Sequence, residues 1–417
     1  MKDRDQNWLL NFCFAYTLIM FVFLNYAAVL PLVQREWGIS NAAAGTIFSA
    51  YQVGYILSAV LLTYLTDRFN AKYIFICSAF WSVITNALFA LFATEVYSAV
   101  ILRGLAGIGM GGTYMPGLKL VAERFGSEKR GRAVGFYTSA FVFGASLSVL
   151  ISGLVASMAG WRLAIFTTAM GTLIGAVMSV EALKDVSFLP QPQPEQGLRG
   201  EVLRNGPALL MIISYAAHMW EMYGMRGWMA AYLTANYLKV GYTSGKATGI
   251  AATFTAFIVA IGGFATSIAG YFSDRIGRTN TIGIIMSLSA IHSFTFGWLF
   301  GLPLPLVILL GFSYSFFVVA ESPVQSTGLT ELVNPRYLGA ALGLQTLFGF
   351  LAASVSPAFF GYVLDITNSA SPGKSIASVK TWGWAFSALG VGAIIGPLAM
   401  ILIRYFPESQ RMAGGKK

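Results

Sequence analysis

Twelve apolar runs, each about 20 to 30 residues long, follow one another along this chain, near 9–33, 42–66, 72–93, 96–119, 133–157, 162–183, 207–237, 246–271, 280–300, 305–329, 338–364 and 381–405. At about 1.5 Å of helical rise per residue, each can cross a hydrocarbon core of roughly 30 Å. Unpaired backbone groups are too costly in lipid for open strands, and the runs lack the alternating period of barrel strands. Twelve transmembrane helices are therefore expected. With 56% hydrophobic and 11% charged residues, the fold class is all-α integral membrane.

The polar start "MKDRDQN" leads into the first run without a small-residue cleavage pattern, so that run reads as a retained helix rather than a signal peptide. A net charge of +10 raises the question of nucleic acid, but the basic residues are sorted by side. With the N-terminus inside, 18 Lys and Arg fall in cytoplasmic segments, six in outer segments, and Arg103, Lys119 and Arg226 within spans. That bias predicts a multi-pass protein of the cell inner membrane, both termini cytoplasmic, with a lipid bilayer and not nucleic acid as its partner.

The chain also repeats itself. Gly45 matches Gly249, Asp67-Arg68 matches Asp274-Arg275, Pro116 matches Pro323, Glu123 matches Glu331, and Gly153 matches Gly361. Between the copies lies "KDVSFLPQPQPEQGLRGEVLRNGP", the longest polar stretch and the natural linker. The expected organisation is an N-terminal six-helix half at 1–185, a cytoplasmic linker at 186–206 and a pseudo-symmetric C-terminal half at 207–417. Parallel repeats of this kind put a solute path at their interface, near the midplane.

Over nearly its whole length the chain resembles a major facilitator superfamily transporter. The most specific match is "GYFSDRIGR" from Gly270 to Arg278, similar to the family's G-x-L-A-D-R-x-G-R loop. The resemblance implies a conformational latch at Gly270, Asp274, Arg275, Gly277 and Arg278, and at Asp67 and Arg68 in the first copy. There "TYLTDRFNAK" has Thr63 and Asn70 where glycine is usual. Asn is the next residue to tolerate a left-handed backbone, so the same turn is expected. The latch would set a carboxylate at one helix end against the positive start of a neighbouring helix. "RGLAGIGMGG", from Arg103 to Gly112, is similar to the family's intramembrane Arg followed by small residues, which suit tight packing or bending. The fifth run lacks the G-x-x-x-G-P element of the family's proton-driven drug exporters, reading "GASLSVLISG".

Four charged residues fall near the middle of spans, Arg103, Glu221, Arg226 and Glu321, with His218 beside them. At about 2.5–3.5 kcal/mol each on insertion scales, they need a compensating role. On a straight helix His218 lies between Glu221 and Arg226, and Gly224 and Gly227 offer a route to unwinding that would bring those two together. Arg103 shares a face with Tyr114, and Glu321 one with Gln325. The resemblance implies a central cavity lined by the first, fourth, seventh and tenth helices. Two readings stay open. The charges either pair with one another across the repeats, or serve transport, with Arg103, Arg226, Tyr114 and Gln325 binding substrate and Glu221, Glu321 and His218 handling protons.

Metal-ligand spacing, a catalytic triad and a P-loop are all missing from the sequence, so an enzyme is not expected, and no cofactor or metal is called for. The resemblance implies a secondary active transporter working by alternating access, here a monomer. Guanidinium forks point to a small organic or inorganic anion, with protons as a coupling ion. Export of amphipathic compounds or drugs, and a receptor that binds without transporting, are the alternatives.

Overall fold

In the computed structural model residues 3–66, 68–186, 199–368 and 376–416 are described, and they fold into helices joined by short turns, with no strand among them. The all-α membrane architecture is as expected. In the first repeat, α1 (Asp3–Ile19) and α2 (Asn25–Trp37) form one interrupted span. Then come α3 (Asn41–Leu65), α4 (Ala71–Phe92), α5 (Val96–Arg124) and α6 (Ser127–Leu183). The short α7 (Arg199–Arg204) precedes α8 (Gly206–Lys239), α9 (Ser244–Ile276) and α10 (Arg278–Phe296). After these come α11 (Leu304–Ala320), α12 (Ser322–Leu332), α13 (Leu338–Thr367), α14 (Gly383–Ala393) and α15 (Ile395–Ile403). Asp67, and the stretch 187–198 of the expected linker, lie outside the described residues.

Nine helical stretches among the described residues are long and apolar enough to cross a membrane. The nine include the single stretch Lys129–Leu183, which covers two of the expected runs. Within it the chain turns at Gly160, whose φ of 84° and ψ of 165° suit a residue without Cβ. Helices α5 and α8 are not among the nine, and they are the helices that carry Arg103, Glu221 and Arg226.

Two interruptions position chemistry. Between α1 and α2 the helix tightens at Met20–Val22 and restarts at Asn25. Ser148 of α6 spans the gap, donating to the Phe21 carbonyl at 2.5 Å and accepting from the Leu24 amide at 3.1 Å. A backbone break in lipid persists only where such groups satisfy it. The second break falls at Glu321, between α11 and α12, two residues before Pro323. A proline in that position has no amide to continue the ladder.

Backbone contact fixes α3 on α5. A Cβ at Gly54 would overlap the Gly104 carbonyl, and one at Gly107 the Tyr51 carbonyl. The glycines of the Arg103–Gly112 run thus act in tight packing, and the packing brings the Tyr51 ring to Arg103. Both ends of the described chain lie on one face, hereafter the terminal face. Arg124 pairs with Asp5 at 3.2 Å, and Lys416 donates to the Asp274 carbonyl at 2.7 Å.

Candidate functional site

Arg103 lies on α5, 1% exposed. Its Nη1 donates to Asn25 Oδ1 at 3.1 Å, and Asn25 is held in turn by Asn86 at 3.2 Å and Thr168 at 3.1 Å. The helix break before α2 therefore orients the arginine through Asn25. Tyr51 and Tyr26 lie against the guanidinium, their ring centroids 4.5 and 5.6 Å from Cζ. Nε and Nη2 have no hydrogen-bond partner, and no ion pair neutralises Arg103 among the described residues. Arg103 and Glu321 therefore do not pair across the repeats.

Glu321 instead meets His218 of α8, with Oε1 2.8 Å from Nδ1 and both side chains fully buried. Glu221, one turn along α8, accepts at Oε1 from Ser289 at 2.8 Å and Ser293 at 2.6 Å. Tyr314 extends this network, 2.5 Å from Ser293. Because α8 is unbroken from Gly206 to Lys239, Gly224 and Gly227 do not unwind it. Glu221 and Arg226 stay apart on different faces. Arg226 is 5% exposed, makes no hydrogen bond or ion pair among the described residues, and has a buried Nε without a partner. Its electrostatic neighbour is Tyr223. One residue on, Gly227 faces Phe48 of the first repeat.

Between the two arginines lies an aromatic set. The Tyr55 ring of α3 lies tilted against Phe350 of α13, centroids 4.2 Å apart, and Tyr223 lies 5.6 Å from the same ring. The phenols of Tyr51, Tyr55, Tyr114, Tyr215 and Tyr223 are within electrostatic reach of one another. Tyr114 is half-buried and contacts Phe141 at 5.5 Å. Gln325 sits elsewhere, donating to Ser214 at 2.9 Å and to the Met286 sulfur at 3.4 Å, away from Arg103 and Arg226.

The face opposite the termini is closed across the repeats. Asp365, near the end of α13, accepts from the Asn41 amide, the Asn41 side chain and the Ala42 amide at 3.1, 2.7 and 2.8 Å. Ser146 of α6 donates to the Ala256 carbonyl of α9 at 2.8 Å. Towards the terminal face a cavity of about 390 Å³ lies between α6 and α9, lined by Ser139, Val142, Phe143, Gly263 and Phe264 among others. On that face Arg278 gathers Asp274 at 2.5 Å, Ser273 at 2.6 Å and Glu331 at 3.0 Å, all in the second repeat. Arg275 lies over the Tyr271 ring, and Gly270 has open space around its Cα. Gly277 has φ 92°, whereas its counterpart Asn70 has φ −59°. The left-handed turn expected at Asn70 is not formed. Its side chain caps α4 instead, accepting from the Lys72 amide at 3.0 Å, a role that glycine cannot fill. Arg68 donates to the Tyr64 hydroxyl at 2.7 Å.

Ranking by charge inside the apolar runs passes over the uncharged Asn25, Ser289 and Ser293, and over Asp365, which falls one residue past the run 338–364. Asn25 carried a signal, being an amide in the middle of an apolar run. Asp365 carried another, an acid at a span's outer edge with no basic neighbour in sequence.

A model described as Major Facilitator Superfamily matches residues 12–357. A Cupriavidus necator protein named "Probable sulfoacetate transporter SauU" is 26% identical, covering 93% of each chain. The "Cis,cis-muconate transport protein" of Acinetobacter baylyi is 24% identical over 86% of this chain and 88% of its own. Among solved structures, a bacterial homologue of the human lysosomal transporter Spinster, inward-facing and occupied, superposes with a TM-score of 0.78 at 16% identity, covering 98% of this chain and 99% of that one. A D-xylose-proton symporter gives 0.72 at 19% identity over 97% and 99%.

Proposed function

The chain belongs to the major facilitator superfamily and is a multi-pass secondary transporter rather than an enzyme, and from that premise we propose that Arg103 and Arg226 bind a small anionic solute between the two repeats. The observation that carries this reading is that both arginines are buried, one from each repeat, and neither is neutralised by a carboxylate. An uncompensated buried charge costs several kcal/mol. An anion supplies the missing countercharge with paired, planar hydrogen bonds. The two carboxylates that could have done so are engaged with hydroxyls and with His218. The names of several relatives, sulfoacetate and muconate transporters among them, point the same way.

Protons are the proposed coupling ion, carried on the buried acids of α8 and of the α11–α12 break. The excess of Lys and Arg on the terminal face supports a cytoplasmic location for both termini in a cell inner membrane. Under that orientation the closed Asp365 face is external, and alternating access proceeds by rocking of the two repeats.

The test is flux into liposomes holding the purified protein, screened over small organic and inorganic anions with and without a pH gradient. Saturable uptake of an anion, weakened in Arg103→Lys and Arg226→Lys at normal expression, is the expected result. Unchanged affinity in a doubly Arg→Gln variant would show that the arginines only tie helices together. Saturable binding without flux would identify a receptor instead.

A further inference from the structure

Arg103 and Arg226 offer donors that no protein group uses, and they offer them from opposite repeats. At Arg103 the Tyr51 and Tyr26 rings lie 4.5 and 5.6 Å away, and Asn25 takes Nη1 at 3.1 Å. What remains is the pair Nε and Nη2, both buried and both without a partner. These two nitrogens lie on one edge of the guanidinium plane. Their parallel N–H groups match the two oxygens of a carboxylate or sulfonate. One anionic group saturates that edge.

Arg226 is a second, separate demand. It makes no hydrogen bond or ion pair among the described residues, and its Nε is buried. The groups between the arginines are phenols and phenyl rings, Tyr51, Tyr55, Tyr223 and Phe350, with Tyr55 tilted against Phe350 at 4.2 Å. Phenols bear no charge near neutral pH. A solute with one anionic group therefore satisfies one arginine and leaves the other buried and unpaired, which is the costly arrangement.

Building on the anion reading above, we infer that the solute carries two anionic groups at the ends of a short spine, one held by Arg103 and the other by Arg226. Such a molecule touches both repeats at once, so its occupancy is felt by the interface that rocks. A single-ended acid engages one repeat only. The aromatic set between the arginines packs against the spine and limits its length.

Titration calorimetry on the purified protein tests this. The ligands are the α,ω-dicarboxylates from succinate to pimelate, the monocarboxylates of equal carbon number from butyrate to heptanoate, and inorganic sulfate. The expected result is one preferred diacid length, bound at least about tenfold more tightly than the matched monoacid, since the second end adds charge-assisted hydrogen bonds. Arg103→Lys and Arg226→Lys should each bring the diacid down to monoacid affinity. If diacids and monoacids bind equally, or sulfate binds as tightly as the best diacid, the two-ended solute is wrong and the anion reading survives. If neither acid series nor sulfate binds, the anion reading itself falls.

Discussion

Asp365 caps Asn41 from the other repeat: one carboxylate accepts two backbone amides and a side-chain amide at the start of α3, at 2.7–3.1 Å. The negative charge lies where the α3 dipole is positive. Gln34 steadies the arrangement by donating to Asn41 Oδ1 at 2.8 Å. A Cβ at Gly361, one turn before Asp365, would overlap the Asn41 carbonyl, so the close approach depends on a residue without a side chain.

Asp365→Asn should loosen that closed face. It removes the charge and one acceptor oxygen, a change of about 0.5–2 kcal/mol by analogy with caps and helix-end charges. The two-state balance then moves roughly two- to thirtyfold towards opening on that side. Spin labels at Thr46 and Tyr362, both exposed, would report it as a longer distance population. An unchanged distribution would mean that the cap is dispensable for closure.

The membrane class was legible in the sequence because apolar run length is a local signal. The partners of the buried charges were not. Helical-wheel angles set Glu221, His218 and Arg226 on one α8, yet tertiary packing pairs His218 with Glu321 from α12's start and Glu221 with two serines of α10. Those choices depend on which helix lies beside which, and on a break whose angle no periodicity encodes. The carboxylate-on-helix-end device was anticipated in kind for Asp67 and Asp274, and the one observed between repeats is Asp365, on the opposite face.

On the terminal face, Arg278 should matter through Glu331 more than through Asp274. Glu331 is 24% exposed, lies 3.0 Å from Arg278, and also accepts from the Ala413 amide at 3.0 Å. Asp274 is 70% exposed, where an ion pair contributes roughly 0–1 kcal/mol. Glu331→Gln is expected to lower thermal stability in detergent, by about 1–2 kcal/mol. Asp274→Asn should leave stability unchanged and slow transport. Wild-type flux in Asp274→Asn would remove its part in the conformational cycle.

Gly54→Leu should fail to accumulate as folded protein. Its Cβ alone overlaps the Gly104 carbonyl, and overpacking of a rigid backbone contact costs more than about 1–3 kcal/mol. Gly131→Ala is the control, since a Cβ there meets nothing within 4 Å. Its stability should stay within about 0.5 kcal/mol of the parent. Equal thermal profiles for both variants would mean that α3 and α5 do not depend on backbone contact.

Proton coupling should divide unequally between the two buried acids. Glu321 already has a partner at Oε1, the His218 ring nitrogen at 2.8 Å. Glu221 has hydroxyl donors at Oε1, an unpartnered Oε2 and no cation beside it. A lone ionised carboxylate is expensive in that setting, so protonation is the ready way for this side chain to lose its charge. Glu221→Gln keeps an acceptor oxygen for Ser289 and Ser293 while fixing the side chain neutral. It should abolish pH-driven accumulation and retain solute exchange in liposomes. Glu321→Gln should mainly destabilise, by about 1–3 kcal/mol, through loss of the His218 contact. Full accumulation under a proton gradient in Glu221→Gln, with loss in Glu321→Gln at normal thermal stability, would reverse the assignment. Full accumulation in both would mean that neither acid carries the coupling proton and that the solute moves by exchange or down its own gradient.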